Sequence, residues 1–439
     1  MSEAAATKGD RGLIQFAAAH GYLWLFAANV IGVWLAFLLL HPGAGKWLGE
    51  WSYGRWMIVH LNWQLYGWTS LPLVAWLMRV YAVEHNGLGA FGRAAVWIWS
   101  LALVIGACNW LRGGSSGKLF LDWSGYAGVY FPLAIFFLWL VLAAGLVSQF
   151  KNNEGGSVLA RSFKLLGLLC LLPVPAVLYL ASGPTVYPPI NPGTGGPTGA
   201  SQLESSLAIV LILLLLPLAL LPRNKSIWFQ LCWILLPLHG FFCVLMGRDD
   251  VSHHMPLQYL GFASLVFWAP LVALYFRAFR WPPETLRWRR ATLVWWILLV
   301  LVGLAQYLPG ILDHYKFTDG LVAHSLMAMA GFTTSLLVLL TILLLGQGKV
   351  TLWLNRRITF WLWHGGTAAY ILLMLVAGWI EGSSPGFTFL PGTLRNLIYL
   401  LRFCSGLAMT VASADWLLAF MPPWTARDYA DAAVKEEKK

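Results

Sequence analysis

Charge is what this chain lacks. Only 11% of its 439 residues are Asp, Glu, Lys or Arg, and 59% are hydrophobic, whereas an ordinary soluble domain carries roughly 25% charged residues. That shortage excludes a soluble globule and makes the chain an integral membrane protein. Acids are the scarcer sign, 18 against 29 Lys and Arg, for a formal net charge of +11. Cysteine is also sparse. The five (Cys108, Cys170, Cys232, Cys243 and Cys404) fall in or beside apolar segments, and no CxxC or CxxCH occurs. Neither a zinc knuckle nor covalent c-type haem attachment is therefore read. The opening stretch MSEAAATKGDRGLIQFAAAHGY lacks the basic, apolar and small-residue pattern of a signal peptide, so the first apolar run is expected to act as an uncleaved anchor.

Long apolar runs are what is present. A membrane span needs about 20 apolar residues. Twelve candidates meet this, at 22–41, 56–78, 94–111, 126–149, 165–182, 205–222, 227–247, 257–277, 291–312, 320–346, 358–380 and 396–420. The expected fold is an all-α integral membrane protein of about twelve transmembrane helices. Residues 1–439 form one polytopic domain, with a cytoplasmic tail at 421–439. The connections are short apart from ASGPTVYPPINPGTGGPTGASQLE, a Pro/Gly-rich outer loop. The 26 Trp suit the two membrane–water interfaces. Basic residues set orientation. With both termini cytoplasmic, the inner connections hold most of the 29 Lys and Arg, five of them in RAFRWPPETLRWRR. The positive charge thus reads as topology, with the lipid bilayer as partner and no nucleic acid.

Histidine is the informative polar residue. His60 falls near the outer start of the second span, His253 and His254 follow the outer end of the seventh, and His324 lies near the outer start of the tenth. Four histidines from three distant segments share one depth. Ionisable groups within a membrane are functional candidates by default, and neutral imidazole is a common metal and haem-iron ligand. For a single histidine, a bond to a backbone carbonyl in a packed bundle is the simpler account; agreement in depth favours a site. His239 lies mid-span on the seventh run and His364 in the inner half of the eleventh.

Four stretches carry a resemblance: VHLNWQLYGWTSLPLVAWL, DVSHHMPLQYLGF, FTDGLVAHSLMAMAGF and FWLWHGGTAAYILLMLVAGWIEG. In order and spacing the chain resembles the catalytic subunit of the heme-copper oxidase superfamily, its C-type oxidase and nitric oxide reductase branch in particular. The resemblance implies that His60 ligates a low-spin haem, that His253 and His254 belong to a copper site, and that His324 is the first member of an H-x-H pair. In that pair, two residues turn the helix by about 200° and so aim two imidazoles to opposite sides. Leu326 stands where the family has the second histidine, and SLAIVLILLLLPLAL offers no histidine where a third copper ligand belongs. Met329, three residues past Leu326, projects from roughly the same face of a regular helix and is a candidate replacement ligand, with Met327 a second. Asp249, Asp250 and His314 lie near the same outer surface. Arg55, Arg248, Lys316, Arg395 and Arg402 are available to haem propionates.

Three readings follow. The first is an electron-transfer subunit of a membrane respiratory complex that retains haem (with copper as a further cofactor), partnered by other subunits such as a cytochrome c in the inner membrane of a prokaryote. The second is a cofactor-poor pseudo-oxidase acting as a scaffold for such subunits. The third is an unrelated transporter, with Pro173, Pro175, Pro217 and Pro237 breaking helices. The inner half offers His364, Thr367, Tyr370 and Asp415 but no dense acidic chain, so the sequence makes no case for proton pumping.

Overall fold

The structure, a computed structural model, describes residues 10–84, 87–118, 120–152, 156–183, 185–186, 200–246 and 256–421. The helices in chain order are α1 (Asp10–Leu40), α2 (Tyr53–Asn62), α3 (Leu71–Val80), α4 (Gly89–Leu111), α5 (Ala127–Lys151), α6 (Val158–Leu171), α7 (Val174–Ala181), α8 (Ala200–Leu220), α9 (Ile227–Met246), α10 (Pro256–Ser264), α11 (Trp268–Phe276), α12 (Leu286–Tyr307), α13 (Ile311–Tyr315), α14 (Asp319–Leu326), α15 (Thr334–Leu345), α16 (Lys349–Leu354), α17 (Arg357–Ser383) and α18 (Thr393–Leu418). Two π-helical segments, π1 (Trp63–Thr69) and π2 (Met327–Thr333), link α2 towards α3 and α14 to α15. Among the described residues the β-structure is one isolated bridge, Arg223 to Phe279. The protein is an all-α, multi-pass membrane protein: among the described residues ten helical runs are long and apolar enough to cross a bilayer. The run from α2 through π1 to α3, and the apolar part of α8 (Ser206–Leu220), stand apart from those ten.

All-helical architecture follows from the solvent. In a bilayer a backbone polar group must be satisfied inside its own segment or by a neighbour, which leaves helices or closed barrels. The runs lack the two-residue alternation of a barrel strand. Proline acts as the sequence suggests in one place only. Pro173 separates α6 from α7, while Pro217 and Pro237 sit inside α8 and α9 without ending them. α1 begins earlier than the apolar count puts it, at Asp10, because Leu13, Ile14 and Ala17 are already buried.

Packing divides the helices sharply. α1 lies against α2, π1, α3 and α18; α18 packs on α17, α17 on α14, and π2 and α15 on α12. In the run Asp319–Leu345, 67% of the most apolar window is buried, but only 6% is in Val158–Ala181 and 11% in Ile227–Met246. The first is the centre of the bundle. The other two bury few residues fully, as apolar helices can where the solvent is lipid.

Candidate functional site

His60 lies one turn before the end of α2 and is turned towards α1. Its Nδ1 is 2.7 Å from the Ala28 carbonyl oxygen. A carbonyl only accepts, so the proton sits on Nδ1, and Nε2 keeps its lone pair with no hydrogen-bond partner among the described residues. This is the tautomer of an imidazole ligand held by its other nitrogen. Gly32, one turn along α1 from Ala28, makes room for the ring: a Cβ there would stand 2.8 Å from His60 Cε1. His324, in α14, is placed in a similar way against α12. A Cβ on Gly303 would stand 3.0 Å from its Cε1. No described residue bonds its ring, and its Nδ1 is buried without a partner.

These two sites are copies of one another. Seven residues after each histidine comes Gly-aromatic-Thr: Gly67-Trp68-Thr69 and Gly331-Phe332-Thr333. Each π segment begins three residues after its histidine. A Cβ on Gly67 would meet Trp24 of α1 at 2.5 Å, and one on Gly331 would meet Trp295 of α12 at 2.7 Å. Trp24 and Gly32 are spaced as Trp295 and Gly303 are. The third helices match as well, with Arg-x3-Trp-x-Trp at 93–99 in α4 and at 357–363 in α17. Trp99 Nε1 donates to the Tyr66 carbonyl of π1 at 2.7 Å, and Trp363 Nε1 donates to the Ala330 carbonyl of π2 at 2.8 Å. The next residue in each receives the first-helix tryptophan: Trp24 donates to Ser100 Oγ at 3.1 Å, and Trp295 to His364 Nδ1 at 3.0 Å. The chain thus contains a repeated module. Module A is α1, α2–π1–α3 and α4; module B is α12, α14–π2–α15 and α17.

Wider π winding leaves carbonyls without their usual i+4 donors, and in lipid such groups cannot stay bare. The side chains answer this. Besides the two tryptophans, Ser70 Oγ donates to Leu65 O at 3.0 Å, and at the matching position Thr334 Oγ1 donates to Met329 O at 3.0 Å. Trp68 Nε1 then donates to Thr334 Oγ1 at 3.0 Å, which ties π1 of module A to the start of α15 in module B. The connection between α4 and α5 covers π1, where Tyr66 donates its hydroxyl to Phe120 O at 2.6 Å. Within that connection, burial pushes the Asp122 carboxyl pKa above its usual value, opposed by hydrogen bonds from Ser115 and nearby amides.

Charge collects at one end of the bundle. Arg402 of α18 is 7% exposed. It donates through Nε to Tyr370 at 2.7 Å and lies 3.4 Å from Asp319. Tyr399 donates to Asp319 at 2.8 Å. Buried Glu381 accepts from the Asp319 amide at 2.7 Å and from the Thr388 hydroxyl. Of the candidate propionate partners among the described residues, only Arg402 lies within electrostatic range of His60. Arg395 is committed to the carbonyls of Leu39 and Thr388, Arg55 to Leu111 O, and Lys316 lies over Phe317.

The other sequence candidates separate. His253, His254, Asp249, Asp250 and Arg248 lie outside the described residues. His239 is bonded at both nitrogens, accepting from Trp268 at 2.7 Å and reaching Ser264 Oγ at 2.7 Å, so it supplies no free ligand atom. His314 donates to Trp379 O at 2.6 Å. Met329 is half-buried inside π2. Because π winding advances each residue through a smaller angle, Met329 is turned off the face that Leu326 occupies. Among the described residues no group of three or more His, Cys, Asp or Glu is placed to hold a metal ion. Sequence reasoning missed Gly32, Gly303, the two π segments and the repeat itself. The signal was present in the paired His-x6-Gly-aromatic-Thr and Arg-x3-Trp-x-Trp spacings. No protein-family model matches the chain, and no curated protein matches it.

Proposed function

We propose that the protein is a haem-binding electron-transfer subunit of a respiratory membrane complex, resembling the heme-copper oxidase catalytic subunit, with His60 as an axial ligand. One observation carries this reading: the Nδ1–H of His60 is held by the Ala28 carbonyl while its Nε2 has no hydrogen-bond partner among the described residues. Haem, when bound, supplies reversible one-electron chemistry. The chain's own residues do the rest. Ala28 fixes the imidazole tautomer, and hydrogen bonding of the distal nitrogen raises ligand basicity. Gly32 lets the ring lie flat on α1. Arg402 provides a buried positive charge for a propionate carboxylate, its own charge balanced by Asp319. Twelve spans with both termini on the cytoplasmic side of a prokaryotic inner membrane complete the reading, and the basic connections of the sequence support that orientation. The copper pair, His253 and His254, lies outside the described residues, and no step is assigned to copper.

The test is an optical spectrum of the purified protein, oxidised and dithionite-reduced, with haem quantified per chain. A sharp reduced α-band that is lost in His60→Ala supports the reading. The second reading is a cofactor-free scaffold, favoured by Leu326 at the expected second-ligand position. Protein without haem, although expressed with haem supplied, establishes that reading and overturns the first.

A further inference from the structure

A patch of positive charge, separate from both histidine modules, is built where α8 meets α9 and α11 meets α12. Its two connections are locked together by main chain. Arg223 bridges Phe279, the Asn224 amide donates to Ala278 O at 2.8 Å, and the Arg280 amide donates to Pro222 O at 3.0 Å. Arg280 Nε also donates to Asn224 Oδ1 at 2.9 Å. The bridge puts Arg223, Lys225, Arg277 and Arg280 on one surface, all exposed. Among the described residues no carboxylate pairs with any of them, and the Arg223 guanidinium is held 3.6 Å over the Phe229 ring.

Topology alone requires only that basic residues be numerous on one side. It does not require that the two connections carrying four cations be locked to one another by backbone bonds at residues 222–224 and 278–280. Directly beside the patch, α9 leaves an apolar wall uncovered. Ile227 is 71% exposed, Ile234 58%, Leu238 60% and Phe241 65%. Phosphate recognition at a span end, continuous with an apolar track down the span, is the chemistry of a phospholipid. A free anion has no use for the track.

We infer that this patch is a docking site for an anionic phospholipid, its headgroup phosphate on Arg223, Lys225, Arg277 and Arg280 and its acyl chains along α9. The test uses the full chain in detergent, examined by native mass spectrometry with diphosphatidylglycerol, phosphatidylglycerol or phosphatidylcholine added. The two anionic lipids are expected to bind in preference to phosphatidylcholine. In the variant R223Q/K225Q/R277Q/R280Q that binding falls on the order of tenfold, while in K46Q/R112Q it is unchanged. Wild-type binding also weakens as sodium chloride is raised, because exposed charges are screened. This arm holds whether or not the fourfold variant inserts correctly. Equal retention of all three lipids, salt-insensitive binding, or displacement of the lipid by millimolar inorganic phosphate overturns the inference.

Discussion

Modules A and B share a plan and differ in how they finish it. In A, the Trp24 indole donates to Ser100, which also meets His20 Nδ1 at 2.8 Å. In B the residue in the Ser100 position is His364, and Ala291 stands where the Trp24-to-Trp295 register places His20. One imidazole therefore fills in B the space that a serine and a histidine share in A. The second difference concerns the candidate ligands. His60 is oriented by Ala28 O, whereas Leu299 occupies the matching place in B and His324 Nδ1 is buried with no partner among the described residues. A buried polar atom without a partner costs about 1–3 kcal/mol. The two modules share the placement of their histidines and differ in which one is pre-organised.

The largest expected difference lies at the tryptophan partners. His364→Ala removes a buried ring and strands the Trp295 N–H, for a loss of about 2–4 kcal/mol of stability. Ser100→Ala costs about 1–2 kcal/mol, since only hydrogen bonds are lost. Denaturation in micelles measures both, and equal losses would break the comparison. Next come the glycines. Gly32→Val and Gly303→Val each force an imidazole aside at about 1–3 kcal/mol, but only Gly32→Val is expected to lower haem content as well. The tie between the modules is smaller. Thr334→Val strands the Trp68 N–H while Met329 O keeps the Thr334 amide, at about 1–3 kcal/mol, and Trp68→Phe loses the same bond and trims a fully buried ring, also at about 1–3 kcal/mol. A Thr334→Val protein as stable as wild type contradicts the tie. Least affected is Met329→Leu, a volume-conserving change costing less than about 1.5 kcal/mol. With Met329 turned off the Leu326 face, the reduced spectrum is expected to stay as in wild type.

The apolar runs were legible because a bilayer demands long uninterrupted apolar sequence, so Gly89–Leu111 and Thr393–Leu418 fall close to their expected places. Proline was less legible. Its effect depends on whether a neighbour satisfies the carbonyl it frees, so Pro173 breaks a helix and Pro237 does not. His60 and His324 stood out in the sequence by their depth, but their bonding could not be read there, because Ala28 contributes only a backbone oxygen and its sequence carries no sign of that role. The relation of Met329 to Leu326 was counted in regular turns. A π segment changes that count, and its markers, the Ser70 and Thr334 hydroxyls and the Trp99 and Trp363 indoles, become visible only when the two modules are aligned.

The most direct test of the His60 assignment is His60→Gly with and without added imidazole, read by the reduced α-band and the haem-to-protein ratio. The account predicts that the band disappears in the variant and returns when imidazole fills the space beside Gly32 and Ala28, with His324→Gly leaving the band in place. A band that survives His60→Gly unchanged would contradict it, and would move the ligand elsewhere in the chain.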